Sequence, residues 1–436
     1  MAYGVPRLGK SGAVSAPLAR SIGLFDATMV VMGGIVGAGI FVNPAIVARS
    51  AGAPWMMVAA WMVGGVAALL GAFVYAALSA ERPQAGGQYV YLRDAFHPAL
   101  AFLYGWALLV VIQTGGMAAC AIIFARYFEQ LARLDAPEGL LAALAVAALT
   151  LVNCLGVAAG TRVQSALMVL KIAALAALIA CGLWVAAPAE SAAPPAQHDF
   201  AAALIPVLFA YGGFQTACFV AGELKDPRRD LPRALLAGVL GVIALYLLTV
   251  LGCLRALGAA GLAATDAPAH DVAVRALGPR GASWIAAAIA VSTLGFLSQS
   301  ILTAPRVYFA MAEDGLFWKA VARVHPKTRA PVTAIVLQGA LTAAIALAGT
   351  YEVILRWVVS IDFIFFALSA ACLFVFRRRG ERVAMPGHPA STLLFIAICA
   401  LVVFATFLHD PRRSLLGLAV TLAGLPVYLV WRRSRA

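Results

Sequence analysis

Charged residues in this chain fall into short clusters, and the stretches between them are almost wholly apolar for about twenty residues or more at a time. A helix rising 1.5 Å per residue needs about 20 apolar residues to cross the hydrocarbon layer of a bilayer, so each stretch predicts a membrane span. The stretches lie near 22–48, 55–79, 99–126, 138–157, 163–187, 200–222, 234–257, 282–311, 331–349, 353–376, 390–408 and 414–431. That makes twelve transmembrane helices, an even number, which puts both ends of the chain on one side of the membrane.

Two of the stretches are poorly made as continuous helices. The first carries Gly33, Gly34, Gly37 and Gly39 followed by Pro44, in MGGIVGAGIFVNP; the sixth carries Pro206, Gly212 and Gly213, in IPVLFAYGGFQTACF. Clustered glycines weaken helix propagation, and unpaired backbone at membrane depth survives only where it is buried in protein or lines a cavity. Gly33 and Gly37 also have the spacing of a close-packed helix interface, but a second break at the matching place in the other half favours interrupted helices. The two lie five spans apart, so the second half enters the membrane from the opposite side, as an inverted repeat does.

Composition supports a lipid-embedded chain and little else. Of 436 residues 63% are apolar and 12% charged, against roughly 25% charged in an ordinary soluble domain. The spans and their loops consume the whole length, so a separate soluble domain is not expected. A net charge of +13 would suggest nucleic-acid binding in a soluble protein, yet here the basic residues occupy loops. Loops on the side of the termini hold 21 Lys and Arg, and loops on the other side hold 9. The positive-inside rule therefore places both termini in the cytoplasm, with the protein in the cell (inner) membrane. Seven cysteines stand singly in apolar segments with no CxxC, so neither a disulfide framework nor a metal site follows. The N-terminus is lightly basic (Arg7, Lys10, Arg20) and the first apolar run continues past any cleavage site, which reads as an anchored helix rather than a signal peptide.

Interrupted helices carry chemistry of their own. A half-helix that starts at mid-depth presents free N–H groups with roughly half a positive charge, a receptor for a carboxylate; in the first span these would come from Val36, Gly37, Ala38, Gly39 and Ile40. A half-helix that ends there presents carbonyls suited to an ammonium group, in the sixth span from Phe209, Ala210 and Tyr211. Together they make a clamp for the two ends of an amino acid.

Three segments carry a family resemblance: GAGIFVNPA, FAYGGFQTACFVAGELKDPRRDLPRA and TAPRVYFAMAEDGLFWKAVARVHPKTRAPV. In this order they resemble the amino acid, polyamine and organocation (APC) transporter superfamily, most closely its L-type amino acid transporter branch. The resemblance covers nearly the whole chain. It implies a five-plus-five inverted repeat, here at 22–187 and 200–376 within a single membrane domain 1–436, with two additional, peripheral spans at 390–431. It implies a substrate held between spans 1, 3, 6 and 8, with Phe209 as an aromatic gate, Gln215 where relatives vary the pocket, and Ser300 facing it from span 8. Both monomeric and homo-oligomeric members fit such a fold.

Lys171 sits eight residues into an otherwise apolar fifth span, where an unpaired ammonium costs at least ~2.5 kcal/mol. The bland reading is snorkelling to the cytoplasmic interface. The resemblance implies instead a built-in replacement for the sodium ion of sodium-coupled relatives, donating to freed carbonyls of span 1 and open to proton coupling. Asp362 is the carboxylate deepest in a predicted span; proton coupling or gating and a fixed interhelical hydrogen bond are equally open for it. Arg306 is expected to be structural, pairing with an acid such as Glu223. The middle stretches of spans 1, 3, 6 and 8 offer Gln113, Thr114, Phe214, Thr216, Ser298 and Gln299 but no acid. A charged substrate side chain would go unpaired there at a cost of several kcal/mol, so the expected cargo is a neutral amino acid. Exchange and proton symport, both sodium-independent, stay open. A cationic amino acid or polyamine transporter of the same fold, or a transporter-like sensor, are the alternatives. Enzyme chemistry is not expected: the six histidines lie in or beside loops, and no GxSxG, HExxH or Walker sequence is present. No cofactor is implied.

Overall fold

The computed structural model describes residues 18–186, 199–348, 351–409 and 411–433. Arg7, Lys10, His198 and Arg435 lie outside the described residues. Among the described residues all regular structure is helical, and the β-type pairing is one isolated backbone bridge, Ile22 to Leu224. Eight segments are long and apolar enough to cross a membrane: 54–81, 98–132, 157–184, 200–223, 227–264, 279–313, 390–408 and 414–432. Shorter apolar helices run at 24–35, 138–154 and 332–348.

The first apolar stretch is two helices, α1 (Leu24–Ile35) and α2 (Asn43–Ala51), joined by a single 3-10 turn at Gly39–Phe41. Pro54 starts α3 (Pro54–Glu81), where its missing N–H costs nothing. A short helix, α4 (Gln88–Ala95), then precedes α5 (Pro98–Ala107) and α6 (Gln113–Ala132), which continue one another through a π-helical turn at Leu108–Ile112. Next come α7 (Glu138–Cys154) and α8 (Val157–Trp184). The sixth stretch is α9 (Phe200–Ala210) followed by a 3-10 helix at Phe214–Glu223, so its second half is wound more tightly than the expected α-helix. The second half of the chain holds α10 (Pro227–Ala264), kinked at Gly258, then α11 (Pro268–Leu277), α12 (Pro279–Thr303), α13 (Pro305–Glu313), α14 (Val332–Ala348) and α15 (Tyr351–Arg378). It ends in α16 (Ala390–His409), α17 (Pro411–Leu422) and α18 (Gly424–Arg433), the last apolar stretch being two helices where one was expected.

Two apolar clusters hold the bundle. The larger joins α1, α3, α10 and α15 with their neighbours; the smaller joins α6, α7, α12 and α14 through Met117, Ala121, Val146, Leu297 and Ile335. The centre of the bundle, where α1 meets α8, α10, α12 and the 3-10 helix at 214–223, is where both interruptions fall.

Candidate functional site

Helix α1 closes with the Val36 N–H donating to the Met32 carbonyl at 2.8 Å. Val36 therefore uses its N–H within the helix, and the free donors begin one residue later than the sequence suggested. The N–H groups of Gly37, Ala38, Gly39 and Ile40 meet no hydrogen-bond acceptor among the described residues. They are followed by the bonds Phe41 to Ala38 and Val42 to Gly39, both 3.1 Å, which form the 3-10 turn. A Cβ added at Gly37 would touch only the Phe296 ring, at 4.0 Å, so the backbone borders open space here.

The carbonyls of the same segment are covered one by one from three different helices. Tyr246 of α10 donates its hydroxyl to the Ile35 oxygen at 3.1 Å; Lys171 of α8 donates its ammonium to the Val36 oxygen at 2.5 Å; and Ser292 of α12 donates to the Gly37 oxygen at 3.2 Å. Lys171 is 0% exposed, so it does not snorkel to an interface. Gly295 lies against it: a Cβ there would stand 3.1 Å from the lysine Cε. Such charge-assisted bonds run at about twice the strength of neutral ones.

The second interruption is built differently. Tyr211 donates its N–H to the Val207 carbonyl at 3.1 Å, Gly212 donates to Phe209 at 3.0 Å, and Gly213 then takes φ +100°, open to glycine but not to other residues without strain. A side chain at Gly213 would also collide with the Gly34 carbonyl, so the two interruptions touch backbone to backbone. Thr216 donates to the Gly213 oxygen at 2.7 Å and in turn accepts from Gln299 Nε2 at 2.7 Å. Asn43 Nδ2 donates to the Pro206 oxygen at 3.0 Å, tying the start of α2 to α9.

The remaining expected residues fall in several places. Phe209 is 44% exposed and stands clear rather than packed into the core. Ala210 is buried, and its carbonyl accepts from Tyr246 at 3.3 Å. Tyr211 turns into an aromatic cluster with Trp61 and Tyr246, at ring centroid distances of 5.8 and 5.1 Å. Gln215 is buried with its Oε1 unpartnered among the described residues, and the buried Ser300 hydroxyl donates to Gln299 Oε1 at 3.4 Å. Thr114 bonds Leu109 and accepts from Gln338 of α14 at 2.7 Å, while Phe214 packs on Tyr75 and Phe366. Asp362 makes no hydrogen bond to either interruption among the described residues, and its Oδ1 has no partner there. Tyr246, Ser292 and Asn43 were not singled out from the sequence; each is a polar side chain in an apolar neighbourhood, a signal that marks a partner without naming it.

At the end of the bundle where Ser21 and Ile22 lead into α1, the 3-10 helix is tied down. Glu223 and Arg306, both 0% exposed, pair at 3.1 Å, as the sequence led one to expect. The Glu223 carbonyl accepts from the Ser21 and Ile22 N–H groups at 3.0 and 3.1 Å. Nearby, Arg82 pairs with Glu381 at 2.7 Å and Arg93 with Asp314 at 2.6 Å. Burial works against the charge of Arg93, but the Asp314 and Asp94 carboxylates more than offset it and hold its guanidinium above the ordinary range. No group of three or more His, Cys, Asp or Glu positioned for a metal occurs among the described residues.

Apolar helices interrupted at mid-depth beside free backbone donors are an arrangement that membrane transport proteins use. Residues 22–429 match the amino acid permease family, and the chain belongs to that family, within the APC superfamily. It is similar to the serine/threonine exchanger SteT of Bacillus subtilis, 31% identical over 433 residues that cover 96% of this chain and 98% of that protein. It is similar to the large neutral amino acids transporter small subunit 2 of Homo sapiens, 31% identical over 442 residues that cover 96% of this chain and 82% of that protein. The Asc-type amino acid transporter 1 of Homo sapiens is 26% identical over 440 residues, covering 95% and 83%. These relatives are amino acid transporters, and the chain is a multi-pass membrane protein.

Proposed function

We propose that this protein carries neutral L-amino acids across the cell membrane by alternating access, without sodium, as an exchanger or a proton symporter. In this reading the chain crosses twelve times with both termini in the cytoplasm, and the two five-span repeats and the two further spans divide as the sequence suggests. The observation that carries it is the row of free N–H groups at Gly37, Ala38, Gly39 and Ile40 beside open space, while the neighbouring carbonyls are already capped. A carboxylate completes those donors. The ammonium goes to the carbonyl end of α9, and Phe209, Gln215 and Ser300 belong to the side-chain pocket and its gate. Lys171 fills the electrostatic role of a bound cation at Val36, which supports sodium independence. Relatives spanning nearly the whole chain are named for serine and threonine and for large neutral amino acids, in line with the lack of a buried acid in the middle of the site.

Purified protein in liposomes preloaded with L-serine should take up labelled L-serine and L-leucine equally well with and without sodium. L-Arginine, agmatine and L-glutamate should compete far more weakly than L-alanine. Gly37→Val, which fills the carboxylate position, should abolish saturable uptake, while Phe209→Ala should keep binding with slow transport. Sodium-dependent uptake, strong competition by arginine, or binding without accumulation would each overturn a named part of this reading.

A further inference from the structure

One face of α15 follows a line of polar atoms that the amino acid clamp does not use. Asp362, Phe365, Phe366, Ser369, Cys372 and Phe376 recur every three or four residues, so they stand above one another on the helix. Phe365 meets the Tyr104 ring at 5.1 Å, and its carbonyl accepts from Gln88 Nε2 at 2.9 Å. Phe366 meets the Tyr75 ring at 6.2 Å, and Cys372 donates to the Tyr91 carbonyl at 3.6 Å. Phe376 lies under the Arg82 guanidinium at 3.6 Å, and Arg82 pairs with the partly exposed Glu381 and Asp94. At 1.5 Å per residue the line is ~21 Å long.

Along it the Asp362 Oδ1, the Tyr75, Tyr104, Tyr91 and Ser369 hydroxyls and the Gln88 Oε1 are enclosed, and none has a hydrogen-bond partner among the described residues. Buried polar groups are seldom left so, and a run of them is a place for bridging water. The fixed interhelical hydrogen bond that the sequence left open for the Asp362 Oδ1 is not made among the described residues. The Tyr75 phenol of α3, the Tyr104 phenol of α5 and the Cys399 thiol of α16 are the titratable groups near enough to interact with its carboxylate; no cation among the described residues does. An enclosed carboxylate without a cation is costly unless it takes up a proton. Beside Asp362, Phe363 and Phe366 line one fissure with Tyr211, Gly212 and Phe214 of the second interruption.

We propose that Asp362 is the proton carrier of the transport cycle: it takes a proton beside the substrate site and passes it along the line of hydroxyls to the Arg82 end, so that one proton crosses with each amino acid. This rests on the neutral amino acid reading and chooses proton symport within it. Each phenol or hydroxyl on the way can both donate and accept, so it receives a proton on one side and releases one on the other. The carboxylates paired with Arg82 receive the proton at the surface. With its proton the Asp362 carboxyl is neutral and tolerates closure of the bundle around it; without it, the charge calls for water.

The test uses the full chain in liposomes containing a pH-sensitive dye, with valinomycin and equal potassium to remove the membrane potential. L-Alanine added outside wild-type liposomes should acidify the interior. With the outside one pH unit more acidic, labelled L-alanine should accumulate about tenfold, the ratio that one coupled proton supports. Asp362→Asn should still exchange labelled for internal L-alanine, but without acidification and with no accumulation. Ser369→Ala leaves the carboxylate in place; its acidification should slow about fivefold for a lost relay bond of ~1 kcal/mol, with the final accumulation unchanged. Wild-type exchange without acidification overturns the proposal, as does tenfold accumulation by Asp362→Asn. Loss of exchange in correctly inserted Asp362→Asn also overturns it, since the carboxylate would then serve the amino acid itself. Acidification at the wild-type rate in Ser369→Ala overturns the path. No L-alanine exchange by the wild type would instead overturn the neutral amino acid reading beneath.

Discussion

The interruption in the first span and the interruption in the sixth are made of similar residues and held by opposite means. Between Ile35 and Gly37 every carbonyl is covered by a side chain from another helix, Tyr246, Lys171 or Ser292. Between Phe209 and Thr216 most bonds are local: Gly212 to Phe209, Thr216 to Gly213, and a glycine turn at Gly213. The first interruption is thus a property of the bundle and the second a property of its own sequence.

The sharpest way to break this contrast is Gly213→Ala. A left-handed backbone costs an L-residue roughly 1–2 kcal/mol, and here the new side chain also strikes the Gly34 carbonyl. The expected outcome is the largest of the set: a lower melting temperature in detergent and loss of amino acid uptake together. Next is Lys171→Ala, which removes a buried charge-assisted bond worth about 1.5–3 kcal/mol. It should insert normally and lose at least ~10-fold in uptake rate, since the Val36 carbonyl is left with no donor. Uptake within twofold of wild type would show that the lysine is not what holds this interruption. Ser292→Ala should have the smallest effect, about fivefold at most for one neutral hydrogen bond of ~1 kcal/mol, read as a shift in half-saturation for L-serine.

The same contrast explains what the sequence could announce. Apolar runs of membrane length are a property of consecutive residues, and helices fill each of the stretches marked by them. The glycine clusters were equally local, and both interruptions fall where those clusters stand. Helix α4, with the sequence QYVYLRDA, was missed because eight residues between two charged clusters carry too little pattern to separate from a loop. The 3-10 winding of 214–223 was also hidden, because an apolar run marks a helix without fixing whether it is wound as α or 3-10. Likewise Tyr246 and Ser292 are polar marks in apolar helices, but which carbonyls they meet follows from how α10 and α12 pack on α1. Lys171 was legible because a charge in lipid demands a partner; that the partner is Val36 needed the fold.

Glu223 has a consequence of another kind. Its carbonyl holds the chain just before α1, and its carboxylate holds Arg306 at the start of α13. One residue is therefore a rivet through three pieces, and any motion that draws it away from one attachment strains the other. Leaving one charge of a fully buried ion pair alone costs ~3–5 kcal/mol, so the segment before α1 and the start of α13 are fastened to the end of the 3-10 helix through this one residue.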